Sequence, residues 1–383
     1  MLLCSSPFLQ SSETRAVPPD THDAIPRRLL VRTSALPAYR APPGGMPGSS
    51  AVRLHLNEPS FPPSPRVIEV LRGAGPALGR YPDGAATSLR SALAARLGVA
   101  VESVILGAGS DELIALAAAA FLTPGALCVA PTPSFPRYRV CALLQGAVLE
   151  EVAVDAGGGL DVDAMAAAAR GAALVYAASP NNPTGGMLGE QELRRFVALV
   201  DPQALLVLDE AYFEFGRAAG GPDGLEVLAS RRGPWIVLRT FSKAYGLAGL
   251  RVGYAAVSDP ALAEALNRCR GAFNVSALAQ AAALAALEDE GYSIENVGKT
   301  VQAREQLRGR LEALGLQCLP SAANFLAVAL PAAAGESVAR LAAEGILVSP
   351  VGPAPFDRHI RITIGAEADH ARLLAVLPRL AGR

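Results

Sequence analysis

The sequence predicts an α/β fold, with a mostly parallel central sheet sandwiched by helices and a smaller, discontinuous α+β domain. Two observations predict it. From residue 85 onward, short apolar runs alternate with helical patterns, and each run is almost continuously apolar, which is typical of parallel strands buried on both faces. After residue 315 the strands are shorter, and we expect this last part of the chain to pack with residues 33–78.

The large unit is predicted from runs of Val, Leu, Ile and Ala and from the helical spacing of Ala and Leu between them. The predicted strands are 103–106, 126–130, 148–154, 173–178, 205–208, 235–239 and 252–257, and the predicted helices are 86–97, 110–121, 134–145, 162–169 and 189–199. Because helices separate most of the strands, the sheet is expected to be mostly parallel.

The smaller unit is predicted from both ends of the chain. Its strands are expected at 52–56, 325–329, 346–348 and 360–364, and its helices at 64–72, 335–344 and 367–380, with a long helical pattern from 276 to 315 that is interrupted near 288–292. Residues 1–31 are rich in Ser, Pro, Thr and Arg and predict a flexible extension. We therefore expect an N-terminal arm and part of the small domain at 32–78, the large domain at 79–290 and the small C-terminal domain at 291–383.

Composition excludes several classes of function. The 383 residues carry a formal net charge of −1, which gives no electrostatic footprint for nucleic acid or an anionic membrane. No apolar run approaches the roughly 18 residues that a membrane span needs. The five cysteines show no CxxC spacing and the four histidines lie far apart, so neither a disulfide framework nor a metal site is expected. A reducing cytoplasm fits this pattern best.

The segment Gly107 to Glu112, with sequence GAGSDE, follows a predicted strand and opens a predicted helix. Free N–H groups and the helix dipole make such a junction suitable for an anion. As a dinucleotide-binding fingerprint it is poor, because the third glycine is absent. A tight turn with Ser110 as the helix cap explains the segment equally well.

Polar side chains follow three other predicted strands. The turn Ser179–Gly185 reads SPNNPTG, Asp209 ends the next strand, and Lys243 follows the strand after that. In open α/β sheets, ligands bind at the carboxyl ends of the strands. Burying a carboxylate at the end of an apolar strand costs free energy unless a cation pairs with it. We therefore expect a positively charged group beside Asp209.

The stretch Arg239–Arg251, RTFSKAYGLAGLR, places small residues and glycines after Lys243 instead of an amphipathic helix. Backbone can therefore approach another group closely there. A basic surface turn is the simpler interpretation when the stretch is taken alone.

Taken together, the SPNNPTG, DEAY and TFSKAYGLAGLR motifs resemble the pyridoxal-phosphate aminotransferases of fold type I and are most similar to the histidinol-phosphate aminotransferase group. The resemblance runs from about residue 33 to the end. It implies a pyridoxal 5'-phosphate cofactor in the large domain and transfer of an amino group from histidinol phosphate, or a related aromatic amino compound, to 2-oxoglutarate. A lyase of the same fold, such as a phosphothreonine-type decarboxylase, is the alternative. A regulatory module is less favoured, because residues 1–31 are too short for a DNA-binding domain.

The resemblance implies a role for each residue around the cofactor ring. Lys243 would bond the cofactor's aldehyde and later move the proton from the substrate's Cα. Asp209 would keep the pyridine nitrogen protonated, and Tyr212 and Asn182 would hydrogen-bond the ring's phenolic oxygen. Phe135 would stack on the ring.

The cofactor's phosphate would bind to the N–H groups of Ser110 and Asp111, to the Ser242 hydroxyl and to the Arg251 guanidinium. In the family, a tyrosine in a motif like the one around Tyr81 reaches the phosphate of the neighbouring subunit. The resemblance therefore implies a homodimer in which Tyr81 acts across the interface.

The residues expected to bind the substrate match the family less completely than those expected to bind the cofactor. Arg361 corresponds to the arginine that holds the substrate's carboxylate or equivalent end, while Tyr39, Asn57 and Asn324 are expected to line the substrate pocket. Histidinol-phosphate enzymes usually carry an arginine at the position of Ser349, where it helps to hold the substrate's phosphate. A hydroxyl removes that charge-assisted contact, so the identity of the amino donor stays open, with an aromatic or other apolar donor as an alternative.

Overall fold

A computed structural model describes Leu36 and residues 51–380, so the predicted pocket residue Tyr39 lies outside the described residues. Along the chain the strands are β1 (Val52–Arg53), β2 (Val104–Gly107), β3 (Leu127–Thr132), β4 (Val148–Ala153), β5 (Leu174–Ala178), β6 (Leu205–Asp209), β7 (Trp235–Thr240), β8 (Gly253–Val257), β9 (Phe325–Ala329), β10 (Ile346–Leu347), β11 (Ser349–Pro350) and β12 (His359–Thr363). They form one large sheet and two small ones.

The large sheet has seven strands in the order β2-β8-β7-β6-β5-β3-β4. The pairs β7-β6, β6-β5, β5-β3 and β3-β4 are parallel, whereas β8 is antiparallel to both β2 and β7. The prediction of a mostly parallel sheet is thus confirmed. Since β8 runs against its neighbours, its first residues lie at the edge where the other strands end.

Helices cover both faces of this sheet. They span Thr87–Leu97, Ser110–Phe121, Arg137–Leu144, Val162–Ala168, Glu190–Leu199, Phe213–Ala218, Gly224–Leu228, Pro260–Cys269 and Ala277–Glu288. Alternate residues of β5 pack to opposite sides: Tyr176 contacts the cluster around Leu113 and Leu262, and Val175 the cluster around Phe196. Burial on both faces explains why the strands are continuously apolar, and each fully buried large side chain contributes about 1.5–3 kcal/mol.

The smaller unit combines both ends of the described chain. Strand β1 pairs in parallel with β10, and β11, β12 and β9 form a three-stranded antiparallel sheet. Helices Pro65–Gly73, Glu290–Ala313, Ala334–Ala343 and Glu367–Leu380 complete the helical part of the chain. Leu54 packs with Leu326, Ile360 and Leu373 in one buried cluster. The predicted domain boundaries at 31, 78 and 290 stay predictions.

Two predicted strands were wrong, and three of the described α-helices were not predicted. The strand predicted at 52–56 ends at Arg53, because its partner β10 ends at Leu347, the residue that pairs with Arg53. The strand predicted at 346–348 is split, since Ile346–Leu347 pairs with β1 and Ser349–Pro350 with β12. Helix Pro260–Cys269 was not predicted, although Asp259 caps it and proline occupies its first turn.

Within the described part of the chain, no helix combines the length and apolar character needed to cross a membrane.

Candidate active site

A cavity of about 270 Å³ opens at the carboxyl edge of the large sheet. Most of the predicted site residues line it, but Asn324 does not. The lining residues are Leu56, Asn57, Ser110, Asp111, Phe135, Tyr138, Ala178, Pro180, Asn182, Asp209, Ala211, Tyr212, Thr240, Ser242, Lys243, Arg251 and Arg361. Most of them lie at the ends of parallel strands or precede the reversed strand β8, whereas Leu56, Asn57 and Arg361 come from the smaller unit. The strand order of the large sheet and the packing of the smaller unit together bring these distant segments into one site.

One end of the cavity is a cradle for an anion. Gly109 (φ 79°) precedes helix Ser110–Phe121, and a Cβ at this position would lie 2.6 Å from Nη2 of Arg251. Likewise, a Cβ on Gly253 would lie 2.5 Å from the Ser110 nitrogen. Glycine at position 109 thus leaves room for the guanidinium beside the helix N-terminus, and glycine at position 253 leaves room for the Ser110 backbone. A free helix N-terminus, a guanidinium and the Ser242 hydroxyl together bind phosphate groups well.

Arg251 is held in this place by its backbone. Its φ is 54°, a conformation that residues other than glycine rarely adopt, and its Nη1 donates to the Ala248 carbonyl over 3.1 Å. Among the described residues it has no carboxylate within ion-pair distance. Asp111 is different, because its carboxylate pairs with Arg137 at 3.3 Å. The cradle therefore keeps an unneutralised positive charge for a ligand.

Asp209 lies on the cavity floor at the end of β6. Its Oδ2 accepts a hydrogen bond of 2.7 Å from the Tyr138 hydroxyl, and its Oδ1 accepts one of 3.0 Å from the Ala211 N–H. Burial raises the pKa of Asp209 to about 6, while both hydrogen bonds act in the opposite direction. No cation of the described residues pairs with it, so the site favours a positively charged ligand atom here.

Lys243 faces the same cavity. Its Nζ donates to the backbone carbonyl of Asn57 over 2.8 Å and stands above the Tyr212 ring, 5.9 Å from the ring centroid. Burial, together with the positive charges of Arg361 and Arg251, lowers the pKa of Lys243 to about 7. Lys243 is therefore poised to lose its proton near neutral pH, as a nucleophile or base requires.

Asn57 connects the two units at the site. Its Nδ2 donates to the Tyr212 hydroxyl over 2.8 Å, and its backbone carbonyl accepts from Lys243 and, over 3.2 Å, from Nδ2 of Asn324. Asn324 does not line the cavity and lies behind Asn57. Burial raises the pKa of Tyr212 to about 12, so its hydroxyl stays protonated.

Arg361 projects from β12 towards the cavity. Its Nη1 donates to Oδ1 of Asn182 over 2.5 Å and its Nη2 to the His55 carbonyl, with the Ser349 hydroxyl 3.4 Å away. Its Nε is buried and unpaired. Burial lowers the pKa of Arg361, and no carboxylate of the described residues forms an ion pair with it. An anionic substrate group would supply the negative charge.

Tyr81 does not line the cavity of its own chain. Its side chain is 82% exposed and stacks on Phe273, with ring centroids 4.7 Å apart. A large aromatic pair on the surface is suited to contact another protein surface. The role of Tyr81 across a subunit interface stays a prediction.

Sequence reasoning assigned no role to two polar residues of the cavity, Tyr138 and Thr240. Tyr138 follows Phe135 by three residues, and its ring is buried between the sheet and the cavity. Thr240 accepts a 3.2 Å hydrogen bond from the Ser242 N–H. Tyr138 stands between Arg137 and Arg139, so its sequence neighbours gave no signal that its hydroxyl is buried and needs a partner.

Known proteins share this arrangement. The family model for aminotransferase class I and II matches residues 49–380. The chain belongs to this family. Class I and II aminotransferases use pyridoxal phosphate, so this aminotransferase does too.

Individual relatives differ in the donor that their names give. This aminotransferase is 41% identical over 336 residues to histidinol-phosphate aminotransferase 2 of Pseudomonas fluorescens, covering 88% of this chain and 90% of that protein. It is also 41% identical over 341 residues to the aromatic amino acid aminotransferase of Rhodococcus jostii, covering 89% and 92% of the two chains. The structure of the Sinorhizobium meliloti histidinol-phosphate aminotransferase with bound pyridoxal phosphate is 34% identical and covers 87% of this chain and 91% of that chain, with a TM-score of 0.81.

The residues of this aminotransferase fit the cofactor. The cradle at Ser110 and Arg251 suits a phosphate, the buried Asp209 suits a protonated ring nitrogen, and the weakly basic Lys243 suits an aldehyde carbon. These features lie in one cavity.

Proposed function

We propose that this aminotransferase moves the amino group of histidinol phosphate or of an aromatic amino acid to 2-oxoglutarate. The observation that carries the proposal is the shared cavity of Lys243 and Arg361. Lys243 has its pKa lowered to about 7, which suits proton transfer, and Arg361 presents a buried guanidinium without a carboxylate partner among the described residues. Lys243 would transfer the proton, and Arg361 would hold an anionic end of the substrate.

When bound, pyridoxal phosphate supplies an electrophilic aldehyde and a ring that takes up the electron pair left at the donor's Cα. Lys243 would hold the cofactor through its aldehyde carbon; once the donor's amino group has displaced the lysine there, the free Nζ would take the proton from the donor's Cα. Asp209 would hold the proton at the ring nitrogen. The hydroxyl of Tyr212 and the amide of Asn182 would bind the phenolic oxygen, and the Phe135 ring would pack on one face of the cofactor. Ser110, Asp111, Ser242 and Arg251 would fix the phosphate.

The substrate pocket would form around Arg361, with Asn57 and Tyr39 at its sides and Asn324 supporting Asn57. Ser349 pairs with Arg361 in the β11-β12 ladder, and its hydroxyl donates to the His55 carbonyl over 3.0 Å. This position thus offers no second cation. A single guanidinium matches one carboxylate of an aromatic amino acid better than a phosphate dianion, which favours the aromatic donor.

The active assembly would be a homodimer, with Tyr81 of each protomer reaching the phosphate site of the other. The exposed stack of Tyr81 and Phe273 supports this assembly. We also propose that residues 79–290 act as the cofactor-binding domain, and that the protein works in the cytoplasm.

A donor panel tests the proposed reaction. The purified protein is incubated with 2-oxoglutarate and either histidinol phosphate, phenylalanine or tyrosine, and glutamate is measured as the product. We expect glutamate with at least one donor and a higher kcat/KM for the aromatic amino acids. Release of carbon dioxide without glutamate would assign the protein to the lyases instead.

Substitution of Ser349 tests the donor preference. Ser349→Arg is expected to raise kcat/KM for histidinol phosphate by about 10-fold or more, because it adds a hydrogen bond to a charged group. Ser349→Gln is the matched control, since it adds length without charge. Equal kcat/KM values for the two variants would show that charge at this position does not decide the donor.

The pH dependence of cofactor attachment tests Lys243. Only the neutral amine can bond the aldehyde, so the attachment rate of the apoprotein should rise about 10-fold per pH unit below the lysine's pKa and level off above it. With the pKa of Lys243 lowered to about 7, the plateau should begin near pH 7. Stopped-flow absorbance after mixing with pyridoxal phosphate measures the rate. A rate that keeps rising to about pH 10, as for an ordinary lysine, would contradict the lowered pKa.

A further inference from the structure

The Tyr138 hydroxyl is the most specific contact in the site that the proposed mechanism leaves without a role. It donates to Oδ2 of Asp209 over 2.7 Å, and the tyrosine is only 2% exposed. The Ala211 N–H occupies the other carboxylate oxygen. These two neutral donors are the hydrogen-bond partners that the described residues give to the Asp209 carboxylate.

The position of that hydroxyl is set by rigid packing. The Tyr138 ring stacks on Tyr176, with centroids 4.7 Å apart and planes inclined by 15°, and meets Phe135 edge to face at 5.9 Å. The Tyr176 hydroxyl donates to the Ile114 carbonyl over 2.9 Å, so it does not compete for Asp209. Two buried rings thus hold one donor against one carboxylate oxygen.

The hydrogen-bond direction is also defined. Burial and the neighbouring Asp209 charge raise the pKa of Tyr138 well above its ordinary value, so the phenol keeps its proton and acts as the donor. A donor to a carboxylate favours the ionised form. Asp209 is otherwise disfavoured as an anion by burial and by the charge of Asp111.

We propose that Tyr138 is a positioning residue that holds Asp209 ionised and in a fixed orientation at the cofactor's ring nitrogen. This inference rests on the proposed role of Asp209 in the transaminase. In this role Tyr138 acts on the cofactor through that carboxylate, so its effect should depend on the ring nitrogen.

Cofactor binding to the apoprotein tests the inference. Tyr138→Phe removes the hydroxyl and keeps the ring stack, and Tyr176→Phe is the matched control that removes a buried hydroxyl without touching Asp209. The ligands are pyridoxal phosphate and an analogue in which carbon replaces the ring nitrogen, and absorbance titration gives each dissociation constant. Tyr138→Phe should weaken pyridoxal phosphate binding about 10-fold and analogue binding less than about two-fold. Tyr176→Phe should change both constants equally.

A pH profile provides the second readout. Besides Tyr138, the titratable group that acts on Asp209 is Asp111, whose carboxylate raises the pKa of Asp209. The buried phenols Tyr176 and Tyr212 have their own pKa values raised by burial and by Asp209. Loss of a donor that favours the carboxylate raises the pKa of Asp209, so the acidic limb of pyridoxal phosphate affinity should move to higher pH in Tyr138→Phe. Tyr176→Phe should leave that limb in place.

Three outcomes would overturn the inference: equal losses for both ligands, unchanged pyridoxal phosphate affinity, or an unmoved acidic limb. Should Tyr138→Phe fail to fold, 3-fluorotyrosine at position 138 keeps the shape and strengthens the donor, and the acidic limb should then move to lower pH. Failure of the wild-type protein to bind pyridoxal phosphate would instead contradict the proposed transaminase mechanism. The two failures are therefore distinguishable.

Discussion

Lys243→Ala is expected to abolish the visible absorption band of the cofactor-loaded protein and to lower transamination by about 10⁴-fold or more, because it removes both the nucleophile and the proton-transfer group. Absorbance spectroscopy and glutamate formation measure the two effects. The cavity should still bind pyridoxal phosphate, since the cradle at Ser110 and Arg251 is unchanged.

The chain offers a clean control for this experiment. The sequence contains two lysines, Lys243 and Lys299, and Lys299 is a surface residue paired with Glu295. Lys299→Ala should keep the absorption band and full activity. Borohydride reduction of the loaded protein followed by peptide mass spectrometry should place the cofactor on Lys243. Cofactor attached to Lys299, or full activity in Lys243→Ala, would contradict the assignment.

Asp209→Asn should lower kcat/KM by about 10³-fold, which is the scale of removing one preorganised electrostatic contact in an active site. The amide cannot balance a positive charge, so the ring nitrogen would lose its proton and the cofactor would accept electrons less well. Steady-state kinetics with the preferred donor from the panel measures the loss.

A cofactor methylated on the ring nitrogen distinguishes loss of the ring's positive charge from a folding defect in Asp209→Asn. It carries a permanent positive charge, so it should restore part of the activity of Asp209→Asn but none of the activity of Lys243→Ala. Asp163→Asn, which changes an exposed carboxylate paired with Arg195, is the control for general effects of the substitution. No recovery with the methylated cofactor would show that Asp209 acts other than through ring charge.

Much of the large sheet was predictable, because strands buried on both faces have uninterrupted apolar sequences, such as Leu205–Leu208. The apolar pattern does not indicate whether a strand runs parallel or antiparallel to its neighbours. The reversal of β8 depends on a short connection from Thr240 to Gly253, whose small residues give no periodic signal. Helices Phe213–Ala218 and Gly224–Leu228 were missed because they are too short to show a helical period.

The site was predictable as far as its residues belong to contiguous motifs. Asn182, Asp209, Lys243 and Arg251 each lie in such a motif, and the structure brings them to one cavity, while their individual roles remain predictions. Tyr138 could not be assigned a role from its neighbours in sequence. Its function depends on contacts with Asp209 and Tyr176, which only the folded sheet creates.

The contact between Lys243 and the Asn57 carbonyl has a practical consequence for shortened forms of the protein. The two residues are 186 positions apart, and Asn57 is held there by β1 and by hydrogen bonds from its side chain. An expression fragment that starts after residue 58 would retain every strand of the large sheet but would lack the partner of its reactive amine. The segment from Val52 to Asn57 therefore sets the shortest N-terminal boundary for a truncated enzyme that is meant to work.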